Sequence, residues 1–207
     1  MTRSLFTLAA LIAIQGGSAL ANDEGLYEDV FAPNSSFVRV VAPGQSFVAI
    51  DGTTLRDIDT GVSGFVNVMP GDIDISASSG STSLAAGPST HYTLIMLDDE
   101  TVEIVQDEIV NDPAKADVTL YNLSDAENVE LYVPLADTVA VGDVASMSGE
   151  TVSLRAPLTL DFEVRAQGET IATVAGIDLQ RGAGVSIVLT EADGSFTAEA
   201  TNNSYLK

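Results

Sequence analysis

The chain has 207 residues, of which 45% are hydrophobic and 18% are charged, a composition that suits folded domains with buried cores. Thirty acidic residues against eight basic ones leave a net charge of −22, which excludes tight nonspecific binding to nucleic acid, because that affinity needs clustered lysine and arginine. Cysteine is absent, so disulfides, thiol catalysis and cysteine metal sites are excluded as well.

The first 21 residues have the pattern of a cleaved export signal. One positive charge, Arg3, precedes the apolar run Leu5–Ile14, and Ala19-Leu20-Ala21 forms a small-x-small cleavage pattern. The run is shorter than the ~20 apolar residues that a membrane-spanning helix needs. The sequence therefore predicts a signal peptide at residues 1–21 and a mature protein in the periplasm; a retained membrane anchor is the alternative.

Beyond this signal, hydrophobic and polar residues alternate with a period of two, which is typical of half-buried strands. The residues predicted to face inward are Ile73, Ile75 and Ala77 in one segment, and Leu158, Leu160, Phe162 and Val164 in another. The nearly continuous apolar runs 92–97 and 185–189 predict more deeply buried strands. Turn signals such as Asp193-Gly194 recur about every 8–12 residues, and no segment shows helical periodicity. An all-β fold is predicted.

The later part of the chain repeats features of the earlier part. The paired segments are 37–42 with 118–123, 66–75 with 154–162, and 91–97 with 184–189. Between the two copies lies a charged stretch that ends in proline, which is the composition of a linker.

This repetition predicts two tandem antiparallel β-sandwich domains joined by a short linker, after a cleaved signal peptide. The predicted ranges are 22–105 for the N-terminal β-sandwich, 106–116 for the linker and 117–207 for the C-terminal β-sandwich. One continuous sandwich whose strands merely look alike is the alternative.

The sequence contains no recognisable catalytic or metal motif. The single histidine, His91, has no Gly-x-Ser-x-Gly motif to accompany it, and zinc needs three or four ligands. The densest acidic groups are Asp57–Asp59, Asp72–Asp74 and Asp98–Glu100, and the second could bind Ca²⁺ only if further oxygen ligands joined it. No catalytic, cofactor-binding or metal-binding residue and no cofactor is therefore predicted.

Several short segments occur in the order found in one known family. The sequence Gly25-Leu26-Tyr27 is followed by APNSSFVRV at 32–40, by LYNLSD at 120–125 and by LQRGAGVSI at 179–187. Following an export signal in this order, these segments resemble the family of AlgF, the alginate O-acetylation accessory protein. The likeness extends from about Gly25 to Leu189.

The resemblance implies a periplasmic, non-catalytic member of an exopolysaccharide (alginate) O-acetylation complex. In such a complex a membrane-bound O-acyltransferase passes acetyl groups across the inner membrane. Periplasmic SGNH-type acetyltransferases then place the acetyl groups on mannuronate hydroxyls. The resemblance implies an adaptor between these partners, with no catalytic residue of its own. The charge of −22 argues against direct binding to an anionic polymer.

Other function classes stay open at this point. An exported acidic β-sandwich module could bind carbohydrate or Ca²⁺, and an unrecognised hydrolase or acetyltransferase would need His91 as its base. Segment 22–36 is a candidate partner contact because it carries apolar residues in a loop-like stretch; packing as a first strand of its own sandwich is the alternative.

Overall fold

A computed structural model describes residues 31–56, 58, 60–97 and 102–206. The predicted signal peptide, most of segment 22–36 and two of the three acidic groups lie outside the described residues. The described chain is built almost entirely of strands and contains one short 3-10 helix, Pro134–Ala136. The predicted all-β fold class is confirmed.

Seventeen strands are present in the described residues. The first half contains β1 Ser36–Val41, β2 Val48–Ile50, β3 Thr53–Leu55, β4 Phe65–Val68, β5 Gly71–Ala77, β6 Gly80–Ala86, β7 His91–Met96 and β8 Val102–Asp107. The second half contains β9 Lys115–Asn122, β10 Val129–Val133, β11 Thr138–Val144, β12 Ser148–Arg155, β13 Leu158–Ala166, β14 Glu169–Leu179, β15 Gly184–Ala192, β16 Ser195–Asn202 and β17 Tyr205–Leu206.

The strands form four sheets, two in each half. The first half has the orders β4-β1-β7-β8 and β3-β2-β5-β6, and the second half has β12-β9-β15-β16 and β11-β10-β13-β14. Strand for strand, β9 to β16 occupy the positions of β1 to β8, so the predicted duplication is present in the topology. Each half also has one parallel pair, β1 with β7 and β9 with β15, among antiparallel neighbours.

Side-chain alternation decides which residues of the duplicated strands are equivalent. Val38 and Val40 of β1 face the core of the first half, whereas Val118 and Leu120 of β9 face the core of the second half. Pairing Phe37 with Val118, as in the sequence comparison, is therefore out of register by an odd number of residues, because such a shift places every side chain on the opposite face.

Each half has its own hydrophobic core, enclosed by its two sheets. Of the residues predicted to face inward, those found buried are Ile73, Ile75, Ala77, Leu160, Phe162 and Val164. Leu158 is 42% exposed, so its prediction is wrong; it is the first residue of β13. The apolar runs predicted to be deeply buried form β7 and β15, which lie at central positions of their sheets.

Two-residue turns close several hairpins at the predicted places. Gln167 and Gly168 join β13 to β14 with φ of 53° and 81°, and Asp193 and Gly194 join β15 to β16 with φ of 52° and 74°. Positive φ at both central residues matches the right-handed twist of the paired strands. Glycine adopts this conformation without strain, which is why these dipeptides predict hairpins.

The predicted domain ranges stay a prediction. From Phe31 onward the chain clusters as one compact unit. The irregular connection between the halves is shorter than the predicted linker 106–116, because β8 extends to Asp107 and β9 begins at Lys115. Polar composition suggested a linker, but Asp107 is the register partner of His91 and so belongs to the β7–β8 ladder.

The last strand crosses from one half to the other. Tyr205 and Leu206 of β17 pair in parallel with Phe65 and Val66 of β4. The sheet of the first half therefore ends in a strand that the predicted range 117–207 assigns to the C-terminal sandwich.

Candidate functional site

The junction between the halves is a buried surface formed by the sheets that contain β1 and β9. Because side chains alternate along β1, Arg39 and Val41 point away from the first core and toward the second half. The apolar part of the junction is Val41, Val62 and Ile95 from the first half, with Tyr121, Leu123 and Val188 from the second. We call this surface, with the polar residues beside it, the junction.

Arg39 is the central polar residue of the junction and is fully buried. Its Nε donates to Thr93 Oγ1 at 2.9 Å, one terminal nitrogen donates to Tyr121 Oη at 2.7 Å, and the other donates to Asn203 Oδ1 at 2.7 Å. Its guanidinium carbon also lies 4.2 Å from the ring centroid of Phe65, a cation–π contact. One side chain of β1 thus contacts both halves and the C-terminal segment.

Asp107 supplies the opposite charge, and two hydroxyl groups connect it to Arg39. Thr93 Oγ1 donates to one carboxylate oxygen of Asp107 at 2.6 Å, and Tyr121 Oη donates to the other. Each hydroxyl therefore accepts a hydrogen bond from Arg39 and donates one to Asp107. This arrangement satisfies a buried cation and a buried carboxylate at once, as low-dielectric surroundings require.

Burial shifts the titration of the junction residues. It raises the pKa of the Asp107 carboxyl, while the charge of Arg39 and the two hydroxyl donors act in the opposite direction. Burial also raises the pKa of the Tyr121 phenol, so that it stays protonated and can donate to Asp107.

Asn203 ties the C-terminal segment to the junction. Its Oδ1 accepts from Arg39 and from Ser186 Oγ at 2.8 Å, and its backbone N–H donates to the carbonyl of Gly184 at 2.8 Å. A Cβ atom at position 184 would lie 3.1 Å from the Asn203 side-chain carbonyl carbon and closer still to its nitrogen. Glycine at position 184 therefore leaves the space that Asn203 occupies.

His91, the single histidine, lies beside the junction in an aromatic cluster. Its ring stacks on Phe37 with centroids 4.8 Å apart, and Nε2 lies 3.2 Å from Tyr205 Oη. Phe65 stacks on Tyr205 with centroids 5.2 Å apart. Burial, aided by the charge of Arg39, lowers the pKa of His91 to about 4. His91 is therefore neutral at pH 7 and packs against aromatic rings.

A His91→Phe variant should lose part of the acid sensitivity of the protein. In the unfolded chain His91 binds a proton below about pH 6.5, whereas in the folded chain its pKa is about 4. The contribution of neutral His91 to the free energy of unfolding is therefore fully present above the unfolded pKa, and it is lost as the pH falls from 6.5 to 4. Urea denaturation at pH 7 and pH 4 should show that the free energy of unfolding falls by about 3 kcal/mol more in the native protein than in His91→Phe. Equal losses in the two proteins would contradict this assignment.

The junction offers no route for a substrate. Arg39, Thr93 and Tyr121 have no exposed surface, so a ligand could reach them only if the halves separated. Their hydrogen-bonding groups are directed at each other and at Asp107. These hydrogen bonds therefore serve to hold the two halves of the chain together.

Of the acidic residues singled out by sequence, the structure describes one pair, on β5. Asp72 and Asp74 are exposed on the outer face of β5, and the groups at 57–59 and 98–100 have their carboxylates outside the described residues. Across the described ranges, no three metal-ligating side chains cluster as a metal site would require. The described part of the chain likewise has no helix long and apolar enough to cross a membrane.

Sequence reasoning missed the junction, although one signal was present. Arg39 stands in the apolar run Phe37-Val38-Arg39-Val40-Val41, where a charge predicts a buried partner. Its partners lie 54, 82 and 164 positions away, so their identity was not visible from local pattern.

Comparison with known proteins identifies the family. The family model described as Alginate O-acetyl transferase AlgF matches residues 9–186. Comparison with curated proteins gave no match. The solved C-terminal domain of AlgF from P. aeruginosa is 21% identical, covering 44% of this chain and 99% of that one, with a TM-score of 0.39. A candidate cell adhesion protein from Bacteroides fragilis is 11% identical, covering 66% of this chain and 59% of that one, with a TM-score of 0.25. Since the family model matches most of its length, this chain belongs to the AlgF family of alginate O-acetylation proteins.

Proposed function

We propose that this protein is a non-catalytic periplasmic adaptor of alginate O-acetylation. It would link a membrane-bound O-acyltransferase to periplasmic SGNH-type acetyltransferases. Membership of the AlgF family places the chain in alginate O-acetylation, and the adaptor role, the two partners and the compartment are the parts that we add.

The observation that carries this proposal is that the buried polar side chains of the junction, and the single histidine beside it, are used in contacts within the chain. Arg39, Asp107 and Tyr121 are buried in mutual hydrogen bonds, and His91 is stacked on an aromatic ring with its pKa lowered to about 4. A general base or nucleophile must instead reach a substrate in a suitable protonation state. Polar groups that are buried in contacts with each other therefore support the interpretation that this protein positions other proteins and does not catalyse a reaction itself.

The architecture supports the same proposal. We propose that the two halves act as two β-sandwich domains whose relative position is held by the junction. A rigid pair of sandwiches presents distinct surfaces at a defined separation, which is what an adaptor between two enzymes needs. The charge of −22 favours protein partners over the anionic polymer itself.

The first test is the acetyl content of the secreted alginate. A clean deletion should leave polymer synthesis intact and lower the acetyl content, measured by NMR, to less than about a tenth of that of the parent. Complementation with the native chain, or with His91→Phe, should restore it fully. Restoration by His91→Phe is expected because an adaptor does not need the imidazole. Unchanged acetyl content in the deletion strain would end the proposal.

A second test separates an adaptor from an enzyme. When the membrane-bound O-acyltransferase is affinity-purified from detergent extracts, the SGNH-type acetyltransferase should co-purify from the parent strain and not from the deletion strain. Complementation with the native chain should restore the association. Equal recovery from both strains would show that the two enzymes associate without this protein, and the adaptor role would be withdrawn.

A further inference from the structure

The strand β6 is an open edge of the first half. It pairs with β5 from Ala77↔Gly80 to Gly71↔Ala86 without a register shift. On its other side it has no strand partner within the described residues. Because alternate N–H and C=O groups of a strand point away from its paired neighbour, this edge presents a regular row of backbone groups that no described strand pairs with.

The usual protection of an edge strand is missing from β6. Its sequence, GSTSLAA, contains no charged residue and no proline, and the ladder that it forms with β5 contains no bulge. Natural edges are commonly shielded by lysine, proline, bulges or a covering element, because unpaired edges pair with other chains. An edge of this length with no lysine, proline or bulge, and with no covering strand among the described residues, is suited to accept a further strand.

The duplicated half provides an internal comparison. The strand β14 takes the same position as β6, yet its ladder with β13 has two irregularities, and it carries Glu169 and Asp178. It also packs against β16, the counterpart of β8. Within the described part of the chain, no comparable contact joins β6 to β8. Among the residues that the structure describes, two copies of one topology therefore differ at this edge: β14 is shielded and β6 is open.

Charge beside the open edge indicates what it would accept. Asp72 and Asp74 of β5 are exposed, and Ser83, the register partner of Asp74, is exposed on the same face. Asp74 and Ser83 help to line a shallow depression of about 510 Å³. On the opposite face Leu84 is buried and Thr82 is half-buried over the core. On one face an added strand would lie beside Ser83, with the carboxylates of β5 two strand spacings away, about 10 Å, within reach of a long basic side chain. On the other face it would meet apolar surface.

We propose that β6 accepts an extended segment of a partner protein by strand addition. The segment would alternate basic residues, whose long side chains reach across β6 toward Asp72 and Asp74, with apolar residues that extend the core beside Thr82 and Leu84. Backbone hydrogen bonds would provide the common affinity, and the alternating side chains would provide specificity. Electrostatic attraction to a chain with a net charge of −22 would speed the association.

Site-specific photocrosslinking in the native host tests this proposal. The probe is p-benzoylphenylalanine, introduced in the full-length chain at Ser83 of β6 or, as the matched control, at the exposed Thr173 of β14. The Ser83 probe should crosslink to a partner segment that alternates apolar residues with lysine or arginine, as read by mass spectrometry of the crosslinked peptide. The Thr173 probe should give less than about a tenth of that yield.

Charge reversal provides the second arm. Asp72→Lys with Asp74→Lys should reduce the Ser83 crosslink at least tenfold, whereas Glu169→Lys with Asp178→Lys on β14 should leave it unchanged. Unaltered melting temperatures would show that both double variants are folded. Equal crosslinking at Ser83 and Thr173, crosslinking of Ser83 to a second copy of this chain, or a yield unaffected by charge reversal would each overturn the proposal. These outcomes are independent of polymer acetylation, so they do not depend on the adaptor role.

Discussion

Replacing Arg39 with methionine should lower the free energy of unfolding by about 3–5 kcal/mol. Methionine keeps much of the apolar stem but removes the cation, so that Asp107 is left buried with only two hydroxyl donors. Asn203 also loses its charged donor. Guanidinium denaturation of Arg39→Met at pH 7, compared with the native protein, measures the effect.

Two controls make this experiment specific to the buried network. Arg165→Met removes the cation of a half-buried surface pair with Glu163 and should have a much smaller effect, because both groups still reach solvent, which screens the pair. The double variant Arg39→Met with Asp107→Leu should recover much of the loss, because it removes the unpaired carboxylate as well. A double variant no more stable than Arg39→Met would show that lost packing, and not an uncompensated charge, caused the destabilisation.

The difference in free energy of unfolding between Arg39→Met and the native protein should also depend on pH. Burial already raises the pKa of Asp107, and removal of the guanidinium takes away a charge that opposes this rise. A carboxyl with a raised folded pKa is favourable to stability while protonated and becomes costly as the pH rises through that pKa. The stability difference between the variant and the native protein should therefore shrink on going from pH 8 to pH 5. A constant difference across that range would contradict this account.

Deleting residues 203–207 should lower the free energy of unfolding by an amount similar to that expected for Arg39→Met. The deletion removes the Asn203 acceptor of Arg39, the pairing of β17 with β4 and the stacking of Tyr205 on Phe65. A hydrogen bond to a charged group and an aromatic contact, together with lost apolar burial, amount to roughly 4 kcal/mol. Chemical denaturation of the truncated and full-length chains gives the comparison.

Hydrogen exchange locates the effect of the deletion. The backbone N–H of Phe65 donates to the carbonyl of Ser204 at 2.8 Å, so this amide should lose protection in the truncated chain. Amides of β15 that pair with β16 should keep theirs, because that ladder lies within the second half. Asn203→Ala, which removes only the acceptor of Arg39, should produce a smaller loss of stability. Equal stability of the truncated and full-length chains would show that the last strand does not hold the halves together.

Much of the fold could be predicted because its signals are local. Alternation in segments such as 72–77 follows from strand geometry, and dipeptides such as Asp193-Gly194 adopt the positive φ that a tight hairpin needs. The repeated order of strands was visible for the same reason, since each copy carries its own turns and apolar runs. Leu158 was missed because alternation alone does not show where the core ends.

By itself, the sequence determined the all-β class, the positions of the hairpins, the duplication and the family resemblance. Only the tertiary structure decided how the two copies meet. The partners of Arg39 come from β7, β9 and the segment after β16, and such distant pairings leave no periodicity to read. The crossing of β17 to β4 and the open edge of β6 are likewise set by which strands become neighbours. Burial and long-range pairing are properties of the folded chain, and local pattern constrains them only indirectly.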